Sequence, residues 1–236
     1  MRTIFNLLVA LPLLMLAACS SNDDNQLKPE EFVPEFVDLG LSVKWATCNL
    51  GGTYAQDYGE YYGWGSTVPY QASETVDWAL YFGKIGGSGT ANTHCGTDKD
   101  PLRGYVKPYT ASIAATKWDI ARQKWGDSWR MPDEREMEEL NDADKCEWQW
   151  TTELGVRGYR VTSKVPGFEG KSIFLPAAGY RNSGSTYNAG MVGSYWTSTP
   201  DAGYNYRAYY RFFNSTRHSF DYIGRYHGLT IRPVTN

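Results

Sequence analysis

Histidine and cysteine are scarce in this chain, with three His and four Cys among 236 residues. His94, His218 and His227 are scattered, and neither an HExxH helix nor a CxxC pair occurs, so the common zinc-ligand spacings are missing. A GxSxG nucleophile elbow is missing too. His94 and Cys95 are adjacent and read as neighbouring loop residues, because two consecutive side chains cannot easily chelate one ion. Asp98 and Asp100 look like calcium-loop residues but lack the EF-hand pattern around them. With no visible set of nucleophile, base and metal ligands, the chain reads as a non-enzyme with no catalytic residues, no cofactor and no metal. Charge of one sign is also in short supply: 23 basic side chains meet 26 acidic ones, a formal net charge of -3. No broad positive field exists to hold a polyanion, so nucleic acid is not an expected partner.

Long apolar runs are absent as well. The run from Leu7 to Leu16 is too short to cross a bilayer, which needs about 20 residues. With Arg2 before it and small residues after it, residues 1–18 read as a secretory signal peptide. Leu16-Ala17-Ala18-Cys19 looks like a bacterial lipobox, which makes Cys19 the expected lipidation site and the lipid the only membrane contact. Residues 19–35 are polar, acidic and punctuated by proline, the composition of a flexible tether. Asp23-Asp24 resembles the acidic export signals of surface lipoproteins in some Gram-negative anaerobes. The expected location is the outer membrane, with the protein exposed at the cell surface. Cys48, Cys95 and Cys146 remain, an odd count that allows at most one disulfide. A Cys48–Cys146 bridge and a set of buried thiols acting as small hydrophobes both remain open.

What the chain has in quantity is aromatic side chains, 9 Trp and 18 Tyr. Residues 36–236 are read as one domain. Phe36 to Leu50 places Leu41, Val43 and Trp45 on one face, with Gly40 breaking two strands. Gly51 to Pro69 is glycine-rich and aromatic, a loop with short strand segments. Gly83 to Asp100 is the most loop-like segment, and its Gly86-Gly87-Ser88-Gly89 matches no phosphate-binding fingerprint. Ser112 to Trp125 is predicted as a helix that buries Ile120, Ala121 and Trp125 and ends at Gly126. A second helix is predicted after Pro132, with Asp133 and Glu136 at capping-box spacing and Met137 and Leu140 as its apolar stripe. Cys146, Trp148 and Trp150 alternate with polar residues as in a half-buried strand, and Gly158 to Thr162 is its expected hairpin partner. From Ser172 to Val234, apolar blocks at 173–175, 195–196, 208–213 and 229–231 read as strands. The polar runs between them read as displayed loops.

Several phrases taken together resemble one family. They are Val37 to Ala46 (VDLGLSVKWA), Trp129 to Pro132 (WRMP), Ser172 to Arg181 (SIFLPAAGYR), Tyr195 to Ser198 (YWTS) and Gly228 to Val234 (GLTIRPV). The chain is similar to the FISUMP (major paralogous domain) family of bacterial surface lipoproteins, related to C-type-lectin-like and formylglycine-generating-enzyme-like folds. The resemblance implies an α+β, C-type-lectin-like fold: two short helices packed on a twisted, mostly antiparallel sheet with long loops and adjacent ends. Trp196-Thr197-Ser198 stands where sugar-binding C-type lectins carry a calcium-binding Trp-Asn-Asp strand. The close cysteine pair of formylglycine-generating enzymes has no evident counterpart.

Arg181 to Asn188, Tyr204 to Arg207 and Asn214 to His227 are rich in Asn, Tyr, Ser, Asp, His, Arg and Gly. Segments diversified by retroelements in C-type-lectin-like proteins have a similar composition, and so do ordinary polar surface loops. The expected function is therefore cell-surface ligand binding or adhesion, directed at a glycan or a protein. The candidate ligand-binding residues are Arg181, Tyr187, Asn188, Tyr204, Tyr206, Arg217, His218, Tyr222, Arg225 and Tyr226, because Tyr and Arg are frequent interface anchors. A structural subunit of a surface assembly, such as a pilus or coat, is the alternative.

Overall fold

Backbone pairing between the two ends of the folded region organises the architecture. The computed structural model describes residues 32–70, 111–182, 185–203 and 207–236. The expected signal peptide, Cys19, the Gly83–Asp100 segment with His94 and Cys95, and the candidates Tyr204 and Tyr206 lie outside the described residues. Strands β1 (Phe36–Val37) and β2 (Lys44–Ala46) form an antiparallel pair around Gly40, whose φ of 73° suits the break expected there. β12 (Val234–Thr235) pairs with both β2 and β3 (Trp129–Arg130), giving a sheet of order β1-β2-β12-β3. The beginning and end of the described region thus share one sheet.

Among the described residues two short helices interrupt a mostly antiparallel β structure. α1 covers only Ile120–Trp125, less than the predicted span. The difference comes from Asp119, whose fully buried carboxylate accepts from the backbone N–H groups of Ala115, Ala121, Arg122 and Met131. Those bonds hold 113–119 in turns, with Ala115 at φ 58°, and make Asp119 the N-cap. Gly126 ends α1 as expected, at φ 90°. α2 (Glu134–Leu140) has the anticipated capping box between Asp133 and Glu136, and it buries Met137 and Leu140.

Three further sheets complete the fold, in place of the single twisted sheet expected. β4 (Cys146–Glu153), β5 (Val156–Ser163) and β6 (Ser172–Pro176) form one. β7 (Tyr180–Asn182) and β8 (Ser185–Tyr187) form a two-stranded ribbon. β9 (Val192–Pro200), β10 (Arg207–Asn214) and β11 (His218–Gly224) form the third, in order β11-β10-β9. Successive residues of β9 point to opposite faces: Tyr195 enters a core cluster with Trp45, Leu140, Val161 and Phe213, and Trp196 enters a second with Trp64, Ile120, Met131 and Tyr210. The β9–β10–β11 sheet therefore lies between two cores, with one helix feeding each. Gly193 is required in β9 because a Cβ there would run into the Phe213 ring.

Of the two readings left open for Cys48 and Cys146, the structure has the buried thiols and not the bridge. Both are free, buried thiols in separate surroundings, Cys48 donating to the Gly52 carbonyl (3.3 Å) and Cys146 packed in the first cluster. Burial pushes the Cys146 thiol up to about 11, so it stays protonated and behaves as a small hydrophobe.

Arg232 is fully buried. Its Nε donates to Asn49 Oδ1 (2.8 Å), Nη1 to the carbonyls of Ala46 and Thr47 (3.0 Å each), and Nη2 to that of Phe174 (2.7 Å). Each buried acceptor left without a partner costs about 1–3 kcal/mol. Arg232→Met should lower unfolding stability by at least about 3 kcal/mol in urea denaturation, whereas Arg160→Met should change it by less than about 1 kcal/mol, because Arg160 makes a half-exposed ion pair with Glu153. Equal effects would remove Arg232 from its place in the core.

Candidate functional site

Strands β10 and β11 position the first group of candidates. Paired residues of an antiparallel sheet share a face, so the register sets His218 opposite Phe213, Phe220 opposite Arg211 and Tyr222 opposite Tyr209 on one face. The expectation of a loop from Asn214 to His227 is corrected here: half of it, His218–Gly224, is an edge strand among the described residues. Its side chains alternate, His218, Phe220 and Tyr222 on one side and Ser219, Asp221 and Ile223 on the other, the period of a strand.

At one end of this face His218 stacks on Trp148, with ring centroids 4.8 Å apart and planes 16° apart. Behind it lies Arg211, only 1% exposed, with its guanidinium 5.1 Å from the Trp148 ring centre and 5.0 Å from that of Phe220. Arg211 Nη2 bonds Asn141 Oδ1 and, at 2.6 Å, His218 Nδ1. A guanidinium only donates, so Nδ1 is the acceptor and the imidazole proton sits on Nε2. Burial and the adjacent Arg211 charge both hold the His218 pKa below its usual value. Burial brings that of Arg211 down to about 10, which leaves it cationic at neutral pH. Asn141, Ala143, Cys146, Glu147, Trp148, Lys164 and His218 border an open groove of about 550 Å³.

At the other end Tyr222 is 46% exposed. The Arg207 guanidinium lies 3.7 Å from the centre of its ring, and Tyr209 meets that ring edge-on at 6.3 Å. Arg207 is itself oriented by Asp201 (3.0 Å). Arg217, in the same hairpin, is exposed and extends over Phe212 at 5.1 Å.

The β7–β8 ribbon carries the second group, again where a loop was expected. Tyr187 is 43% exposed and stacks on Tyr180 at 5.5 Å, and exposed Asn188 takes the left-handed φ of 57° that asparagine tolerates. Arg181 lies 5.5 Å from the Tyr61 ring centre and donates to Thr186 Oγ1 (3.0 Å) and to the Tyr70 carbonyl (3.2 Å). Tyr226 is half-buried beside His227, with ring centres 4.2 Å apart. Arg225 does not belong with these surface residues: it is 2% exposed, lies over Trp64 at 4.1 Å and donates to the Arg207 carbonyl. Its guanidinium is held inside the fold and away from the surface, which corrects its assignment as a ligand anchor.

Comparison with protein-family models, with curated proteins and with solved structures finds no match for this chain. The functional argument therefore rests on the side chains themselves. Thr197 and Ser198 are buried and engaged, Thr197 Oγ1 donating to the Tyr209 carbonyl and Ser198 Oγ accepting from Ser112. Among the described residues no group of three or more His, Cys, Asp or Glu is placed to hold a metal ion.

Sequence reasoning missed Arg211, Trp148, Asn141 and Lys164 as parts of a surface feature. One signal was present: a charged residue between Tyr210 and Phe212 in an otherwise aromatic strand marks a buried cation with special surroundings.

The histidines predict a pH response. Burial also holds His227 below its usual value, and its Nδ1–H donates to the Gly224 carbonyl (3.0 Å). When the folded form resists protonation, the unfolded chain binds more protons below pH 6.5, the ordinary value. Their stability contribution is then complete above that pH and is lost as pH falls toward the folded values. Melting temperature should drop between about pH 7 and 5, and His218→Asn should flatten the drop. An unchanged pH profile in His218→Asn would show that the imidazole is not held neutral by its surroundings.

Proposed function

We propose that this protein is a non-enzymatic binding module, anchored by lipid at Cys19 to the outer membrane and displayed at the cell surface, which recognises a glycan or protein. The observation that carries the reading is the pair of exposed tyrosines held ready on strands: Tyr187 against Tyr180, and Tyr222 beneath Arg207. An aromatic ring already immobilised by its neighbours loses little freedom on binding and offers both an apolar face and a hydroxyl. Arg181, Asn188 and Arg217 supply polar contacts beside them. Among the described residues, the mostly antiparallel sheets, two short helices and the shared sheet of β1, β2 and β12 support, at the level of architecture, a C-type-lectin-like domain of the FISUMP kind. Retroelement diversification of Arg181–Asn188, Tyr204–Arg207 and Asn214–His227 would alter side chains, and at His218–Gly224 these stand on a strand paired to β10.

The second reading, a structural subunit of a surface assembly, is favoured by one feature: among the described residues β11 ends its sheet, and the outer row of its backbone groups has no neighbouring strand there. The test is a screen of the protein on glycan and host-protein arrays, after which Tyr187→Ala and Tyr222→Ala should each reduce capture of the ligand so found at least tenfold with little change in melting temperature. A matching loss of stability would return the tyrosines to a packing role. Self-association abolished by Tyr222→Ala would favour the assembly subunit.

A further inference from the structure

The groove beside Trp148 combines features that a surface depression formed by chance does not need. Its wall at His218 and Asn141 is backed by the Arg211 guanidinium, whose contacts to both residues are made to neutral groups. Arg211 makes no ion pair among the described residues, and its Nε has no hydrogen-bond partner there. Taking a guanidinium out of water without a contacting anion is costly. The field of Glu138 offsets part of that cost without forming an ion pair. The fold therefore holds a buried positive charge one residue behind the groove surface.

His218 carries that charge to the surface. Its Nδ1 accepts from Arg211, so the ring is polarised toward the cation and its remaining N–H, on Nε2, becomes a stronger donor. On another side of the groove Lys164 is exposed, its ammonium tethered to the Ala143 carbonyl at 2.5 Å. An anion in the groove would meet two donors of positive character. The remaining lining suits a polyhydroxylated body: the Trp148 and His218 rings give an aromatic wall, and Glu147 and Asn141 offer oxygens that can accept hydrogen bonds from hydroxyls. The volume of about 550 Å³ is that of a small-ligand site.

We infer that this groove binds a carboxylated sugar, with its carboxylate between His218 Nε2–H and Lys164 and its ring against Trp148. The site goes beyond the Tyr187 and Tyr222 surface and can fail separately from it. A peptide carboxylate fits less well, because it lacks the hydroxyls that would turn Glu147 from a repulsive neighbour into a partner.

The test is titration of the full-length protein with methyl β-D-glucuronide, methyl β-D-glucoside and inorganic phosphate, followed by calorimetry and by NMR of the His218 imidazole and Trp148 indole. The glucuronide should bind at least tenfold more tightly than the other two, shift both side-chain signals and raise the His218 pKa, because a bound carboxylate favours the imidazolium. His218→Ala should weaken binding at least tenfold. Lys164→Ala, at an exposed position, should weaken it severalfold and keeps the test decisive if the histidine variant loses stability. Tyr187→Ala and Tyr222→Ala should leave the glucuronide affinity unchanged. Equal binding of glucoside or phosphate, glucuronide binding that leaves the His218 pKa unmoved, or no binding up to roughly 10 mM, beyond the millimolar range of a weak site, would each overturn the assignment.

Discussion

One buried cation, Arg232, is the constraint on which the rest of the structure depends. Its guanidinium gathers oxygens from the end of β2 and the chain after it (Ala46, Thr47, Asn49) and from β6 (Phe174), two segments far apart in sequence. Asn49 passes the connection on, donating to the Tyr195 hydroxyl, which in turn donates to the Pro176 carbonyl. Every member but the half-buried Thr47 is buried, and such a network is strong only when each polar atom is satisfied together. The register of β12 against β2 and β3 follows, because Arg232 lies two residues before that strand.

Tyr195 also links this network to the sheet that carries the candidate surfaces. Tyr195 faces one core and Trp196 the other, so β9 is held from both sides, and β10 is held by β9. Between Ala208 and Tyr210 the register shifts, and the extra β9 residues reach outward: Ser198 accepts from Ile113 and donates to Pro132, while Thr199 accepts from Glu134 at the start of α2. α2 is thereby seated against β9 and β10, and its C-cap Asn141 arrives beside Arg211. The groove at Trp148 is a consequence of that seating. Side chains that meet a ligand there would be positioned by the core and not by a mobile loop.

Much of the local structure was legible along the chain. The capping box at Asp133 and Glu136, the Gly126 stop, the alternation at Cys146–Trp148–Trp150 and the strand blocks at 173–175, 195–196 and 208–213 all rest on interactions between near neighbours or on one-face burial, which leave a periodic trace, whereas the block at 229–231 makes only isolated bridges at Leu229 and Thr230. The start of α1 was not legible, because Asp119 is recruited by Met131, twelve positions away. The polar runs at 181–188 and 214–227 were read as loops from composition. Strands at a sheet edge keep polar side chains in water, so composition misleads where alternation does not. Of the candidate residues, Tyr187 and Tyr222 are exposed as expected, while Arg225 is buried, since nothing in a lone arginine tells whether its partner is a ligand or a tryptophan.

By itself the sequence determined the class of elements, the absence of familiar catalytic spacings and the aromatic and polar character of the C-terminal segment, because these depend on residue types and short-range periodicity. Only the tertiary structure decided which arginines face inward, which cysteines stay apart and which rings stack. Arg211, Arg225 and Arg232 are chemically alike, and their roles differ because segments distant in the chain bring Asn141 and His218 to one, Trp64 to another and Asn49 and Phe174 to the third. Long-range convergence of that kind leaves no local pattern to read.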